Sequence, residues 1–191
     1  MALIDLYRDS VAAFAEKVTK VAPDQWHAPT PCEDWDVRTL VNHVVSEQRW
    51  SVPLLAGATI AEVGDRFDGD LLGDDPVGSA AEAAEDAQAA VGETGVLERT
   101  VHLSIGDTPA VEYLNQLFAD NLIHGWDLAV ATDADSAIDP DATRACLTWF
   151  SDREDLYRGA GIIGPRLELA PDATDQERLL AAFGRDPTPR R

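Results

Sequence analysis

In the stretch "LFADNLIHGWDLAVA" (117–131), Asp120, His124 and Asp127 recur at i, i+4 and i+7, on one stripe of a helix. The rest of the stretch is apolar or small, as a buried helix should be. A second apolar run, "VRTLVNHVVSEQRWSV" (37–52), carries His43 with Glu47 one turn later. Each helix therefore offers an imidazole and a carboxylate on one face. A buried ionised carboxylate costs several kcal/mol unless something compensates it, and a divalent cation held by both helices would do so. Helical bundles build metal sites in this way, from inward-facing side chains on different helices. Two separate i,i+4 pairs, solvated or hydrogen-bonded, account for the same spacing equally simply.

Other side chains around these stripes have chemistry of their own. Asp127 is a candidate to orient His124 or His43 by accepting a ring N–H, or else a solvated acid. Glu47 is a candidate general base or fourth ligand, or else an exposed acid. Cys32 is a nucleophile by type, but spacing fixes no histidine partner for it. His27 and His102 fall in a Pro-rich loop and on the polar side of an extended segment.

The elements that must position these residues are mostly helices. The spacing predicts a first helix over about 3–21, ended by Pro23, and a second starting at Asp36, whose side chain can cap it. Trp35 and Leu40 stand at hydrophobic-staple positions around its first turn. Residues 57–77, rich in Gly and Asp, read as a loop with at most one helical turn. The alanine-rich 79–91 reads as a third helix. Alternation over 97–105 predicts an extended segment with Leu97, Arg99, Val101, Leu103 and Ile105 on one side. A long fourth helix is expected from Thr108, as cap of Pro109, to about Thr132. A fifth covers about 140–157, and a last covers about 174–183, closed by Gly184. The expected architecture is all-α: a four-helix bundle with a short extended segment and small C-terminal additions. It is read as one domain over 1–191, with a core of about 3–157 and an extension of about 158–191.

Composition narrows the partners. Thirty-five acidic residues against 15 basic ones give a net charge of −20. Such a surface repels phosphate backbones and anionic headgroups, so neither nucleic acid nor membrane is an expected partner. Two distant cysteines form no metal-type spacing and no disulfide framework, which points to a reducing cytoplasm. The N-terminal stretch, with Asp5 and Asp9, has no long apolar run and reads neither as a signal peptide nor as a membrane span. Apolar helix faces allow a homodimer.

The segments "TPCEDWDVRTLVNHVV" (30–45) and "LFADNLIHGWDLAVAT" (117–132) resemble the metal-binding domain of the mycothiol-dependent maleylpyruvate isomerase family, within the wider DinB-like group of bacterial bundles. The ending "RLLAAFGRDP" (178–187) is similar to that of an uncharacterised actinobacterial branch of that family. The resemblance spans about residues 3–187. It implies a divalent metal, typically zinc, on His43, Asp120 and His124, with an open fourth position. The isomerase has Glu at the acidic position, so Asp120 is a shorter arm. The implied activity is a thiol-dependent transferase or isomerase, with mycothiol as thiol co-substrate and a small molecule as its target. Two other readings stand beside it: a metal-binding or dimerising module without turnover, and a metal-dependent hydrolase using Glu47 or Asp127 as base.

Overall fold

The computed structural model describes residues 1–188. Four helices form the bundle: α1 (Leu3–Val18), α2 (Val37–Leu55), α4 (Pro76–Ala90) and α5 (Ala110–Ala131). Each of α1 and α2 packs against both α4 and α5, so the four close a square. α3 (Ile60–Val63) is one turn inside the 57–77 loop, held by a capping box between Thr59 and Glu62. The mainly helical bundle expected from the periodicity is the one observed.

Local chemistry explains most boundaries. Asp36 Oδ1 accepts the Thr39 N–H at 2.8 Å, which starts α2 where the sequence placed it. α4 begins at Pro76, earlier than expected, because Asp75 caps the Gly78 N–H. Inside the bundle, Gln48 Nε2 donates to Asn121 Oδ1 at 2.9 Å, and Asn121 Nδ2 donates to the Leu117 carbonyl at 2.8 Å. Both amides are buried. An unmade bond there would leave a desolvated polar group, so the pair pins the register of α2 against α5.

Three expectations are corrected. The extended segment is a hairpin, β1 (Thr100–Leu103) paired antiparallel with β2 (Gly106–Pro109), after a 3₁₀ turn at Val96–Glu98. Alternation therefore stops at Leu103, and Ile105 lies in the turn, 82% exposed. Thr108 and Pro109 belong to β2, so Thr108 does not cap α5; its hydroxyl donates to the Gly106 carbonyl at 3.2 Å. The fifth predicted helix is broken into α6 (Pro140–Phe150) and α7 (Glu154–Gly159). At the break Arg153 turns its guanidinium onto Glu112 of α5 and the Trp149 carbonyl, a tertiary pull that helical periodicity does not encode.

The last helix, α8 (Asp175–Ala182), is part of the core. Leu179, Leu180, Ala181 and Ala182 are buried, and the Phe183 ring stacks on Phe150 at 4.1 Å between centroids. Burying those side chains offsets the entropy of ordering a short C-terminal helix.

Candidate metal centre

At about 100° per residue, Tyr113, Asp120, His124 and Asp127 fall within about 60° of one another around α5. His43 faces this stripe from α2. The two imidazoles, 81 positions apart in the chain, meet edge to face with ring centroids 5.1 Å apart. The Nε2 atoms of His43 and His124 each lie 3.4 Å from Asp120 Oδ1. One ligand atom from each of the three residues lies within 4.8 Å of the other two.

These distances are long for N–H···O hydrogen bonds, which cluster near 2.9–3.0 Å. They suit ligands around one ion: zinc bonds of about 2.0–2.1 Å in a tetrahedron put neighbouring ligand atoms about 3.3–3.4 Å apart. The second oxygen, Asp120 Oδ2, is buried and has no hydrogen-bond partner among the described residues. A desolvated carboxylate oxygen with nothing to accept is the environment a cation would complete. The donor set and the orphaned oxygen thus fit a divalent ion of the zinc class. Burial works to raise the Asp120 pKa, but the charges and hydrogen bonds of His124 and His43 outweigh it and hold the carboxyl well below its usual range. For His124 burial works downward, and Asp120, with help from Asp127 and Cys32, raises its pKa well above the ordinary imidazole value.

Glu47 stands one turn beyond His43 on α2. Burial first, and the Asp120 charge second, push its carboxyl above the usual range, with His43 and His124 pulling the other way. It is a half-buried acid close enough to Asp120 to feel its charge, not the freely solvated one that the sequence also allowed.

Asp127 is fully buried on the other edge of His124 and accepts from Nδ1 at 3.0 Å. That contact points Nδ1 at Asp127 and turns Nε2 toward Asp120 and His43. Two further residues meet here. The Cys32 thiol donates to Asp127 Oδ2 at 3.1 Å, and Sγ lies 3.7 Å from His124 Nδ1. Arg185 reaches in from the C-terminal segment, with Nε 3.0 Å from Asp127 Oδ1, and Nη2 3.0 Å from both Asp127 Oδ2 and Cys32 Sγ. Burial would raise the Asp127 pKa, but the bonds from His124 and Arg185 together keep it below the usual range.

The Thr30–Asp36 loop delivers both Cys32 and Trp35. Thr30 N–H and Oγ1 both donate to the Trp35 carbonyl, and Asp34 takes a left-handed φ of 67°. Asp is among the few residues that accept this conformation readily. The Trp35 ring then walls the site, 4.9 Å from His43 and 5.6 Å from His124 between centroids.

Sequence reasoning brought out His43, Glu47, Asp120, His124 and Asp127, and the fold brings them to one region. It missed Arg185 altogether and gave Cys32 no partner. The available signal was the "FGRD" ending: Gly184 was read as a helix stop, and the residue just beyond such a stop is held in a fixed direction. A hollow of about 320 Å³, lined by Phe14, Trp126 and Ile138 among others, opens on the opposite face of that helix.

Fold and site together define a DinB-like helical bundle with a candidate metal centre between its second and fifth helices. Within that class, the chain belongs to the mycothiol maleylpyruvate isomerase N-terminal domain family, whose model matches residues 7–129. It is similar to two uncharacterized proteins of Mycobacterium tuberculosis, from strains CDC 1551 / Oshkosh and ATCC 25618 / H37Rv. Each is 34% identical over 138 residues, covering 68% of this chain and 66% of the relative. The chain thus spans just under two thirds of the length of these relatives. It also shares its fold with the crystal structure of the mycothiol-dependent maleylpyruvate isomerase, at a TM-score of 0.65 and 16% identity, over 87% of this chain and 75% of that one. No helix among the described residues is long and apolar enough to cross a membrane.

Proposed function

We propose that this chain is a metal-dependent enzyme of thiol chemistry, holding a divalent ion, zinc by preference, on His43, Asp120 and His124. Mycothiol is its thiol co-substrate, and a small electrophile or unsaturated acid is its target. The observation that carries this reading is the trio of ligand atoms within 4.8 Å beside the partnerless, buried Asp120 Oδ2. When bound, such an ion lowers the pKa of a thiol or water at its open position and polarises a substrate oxygen.

The chain's own residues do the remainder. Asp127 holds the His124 ring with Nε2 turned toward Asp120, where it would serve as a ligand. Trp35 covers the imidazole pair and limits water at the site. Glu47, with its raised carboxyl, is placed to take the proton released by the thiol and to return it to the product. Freedom from nucleic acid agrees with the acidic composition, a cytoplasmic setting with the two distant cysteines and a second copy of the chain with the apolar helix faces, but none of these adds to the chemistry.

The test is metal analysis of protein purified without chelators, followed by thiol-transfer and isomerisation assays with mycothiol. Bound zinc with thiol-dependent turnover is the expected result. Bound zinc without turnover assigns the chain to the non-catalytic metal module, and thiol-independent hydrolysis assigns it to the hydrolases. Absence of any bound divalent ion overturns the proposal.

A further inference from the structure

We infer that Arg185 is a positioning residue of the metal centre, acting through Asp127 on the His124 ring, so that the C-terminal segment is part of the site. The inference rests on the metal reading proposed above. The observations behind it lie outside the three ligands.

A ring ligand is only as well aimed as the acceptor on its other nitrogen. Here that acceptor is Asp127, which is 0% exposed. The Arg185 fork takes both carboxylate oxygens, Nε on Oδ1 at 3.0 Å and Nη2 on Oδ2 at 3.0 Å. A two-point fork fixes the carboxylate plane as a single contact cannot. The same Nη2 reaches Cys32 Sγ at 3.0 Å, and the Cys32 thiol donates to Asp127 Oδ2 at 3.1 Å. Asp127 is thereby held from α8's end and from the Thr30–Asp36 loop at once.

Backbone structure sets where the guanidinium goes. α8 ends in a Schellman motif: Arg185 N–H donates to the Leu180 carbonyl at 2.8 Å, and Gly184 N–H to the Ala181 carbonyl at 3.1 Å. Gly184 has a φ of 74°, and a Cβ there would come within 3.1 Å of Gly164 Cα. Gly184 is thus required twice, for its left-handed turn and for the close crossing of the 164 backbone. Arg158 braces the crossing, donating to the carbonyls of Gly164 and Ala182. Arg185 therefore leaves α8 in one direction, into the site.

The experiment measures zinc affinity by competition with a chromophoric chelator, and the visible spectrum of the cobalt(II)-loaded protein, for wild type, Arg185→Ala, Arg185→Lys and Gly184→Ala. Arg185→Ala should weaken zinc binding on the order of ten- to a hundredfold and alter the cobalt spectrum. Gly184→Ala, which changes no polar side chain of the site, should weaken it in the same direction. Arg185→Lys keeps the charge beside Asp127 but not the fork, and should show a smaller loss. It carries the test if Arg185→Ala does not fold. Val101→Ala, remote from the site, controls for general destabilisation and should leave affinity and spectrum unchanged. Wild-type affinity in the folded Arg185 variants overturns the inference, even if turnover falls, since that would assign Arg185 to substrate. A wild-type chain that binds no divalent ion overturns the metal reading itself, and this inference with it.

Discussion

Asp120 and Asp127 lie about one turn to either side of His124, both inside the bundle, and their surroundings differ. Asp127 is saturated: an imidazole, a guanidinium and a thiol all reach it. Asp120 has two imidazole nitrogens at 3.4 Å, a buried oxygen without a partner and a second acid, Glu47, nearby. Each side also groups three residues able to ligate a metal: Cys32, His124 and Asp127 on one, His43, Asp120 and His124 on the other. Residue types alone do not separate the two groups. Compensation does: Asp127 has a permanent cation in Arg185, whereas Asp120 has only imidazoles at 3.4 Å and an oxygen with no partner among the described residues.

The largest effect expected from this asymmetry is on the Asp120 side. His124→Ala removes one of three ligands, and zinc affinity should fall by at least about a thousandfold, or about 4 kcal/mol. The fold should survive, since it rests on apolar helix faces. Zinc in thousandfold excess over its dissociation constant should stabilise wild type by about 4 kcal/mol and the variant hardly at all. Melting curves with and without zinc check this. A variant that keeps full metal would move the centre away from His124.

On the saturated side, Asp127→Ala leaves the Arg185 guanidinium buried without its acceptor. Breaking a buried pair in this way costs about 3–5 kcal/mol, metal or no metal. Urea unfolding of the zinc-free protein should show that loss. A loss that appears only with zinc present would mean that Asp127 acts solely through the ion.

How much of this was legible in the sequence follows from the range of the interactions involved. The bundle helices were legible because amphipathic spacing and caps such as Asp36 are local. The stacking of Asp120, His124 and Asp127 was legible because helix geometry fixes it once the helix is granted. That His43 faces that stripe needed the family resemblance, since spacing within each helix says nothing of which faces meet. Arg185 and Cys32 were not legible, because what makes them part of the site is a glycine crossing at 164 and 184 and a loop turn at Asp34. The hairpin was missed because β2, "GDTP", has no alternation of its own.

A smaller effect tests how far the imidazoles alone compensate the acids on the Asp120 side. Glu47 has a folded-state pKa raised above its unfolded value, so the folded chain binds its proton more tightly than the unfolded one. Its ionisation therefore costs stability as pH rises through the folded pKa, and costs nothing below the unfolded value of about 4.3. Glu47→Gln in the zinc-free protein should raise the melting temperature by about 2–4 °C at neutral pH, the equivalent of about 1 kcal/mol. The gain should vanish near pH 4. A gain that persists in acid would place the cause in packing, not charge.

The smallest effect is expected at Cys32, and its smallness is informative. If the saturated side were the metal centre, the Cys32 sulfur would be a ligand, and Cys32→Ser would cost orders of magnitude in zinc affinity, because a hydroxyl does not replace a thiolate on zinc. If Arg185 closes that side, the sulfur is only a bridge that donates to Asp127 and accepts from Arg185. A serine hydroxyl can do both, with a shorter reach. Cys32→Ser should then change stability by no more than about 0.5 kcal/mol and leave zinc affinity within about twofold of wild type. Cys146 supplies the contrast within the same chain. It is fully buried among apolar side chains, and burial pushes its thiol up to about 12. A serine there leaves a hydroxyl in an apolar place and should cost about 1–3 kcal/mol. Chelator competition and urea unfolding on the two variants settle the matter together: a large loss of zinc in Cys32→Ser would exchange the roles of the two sides.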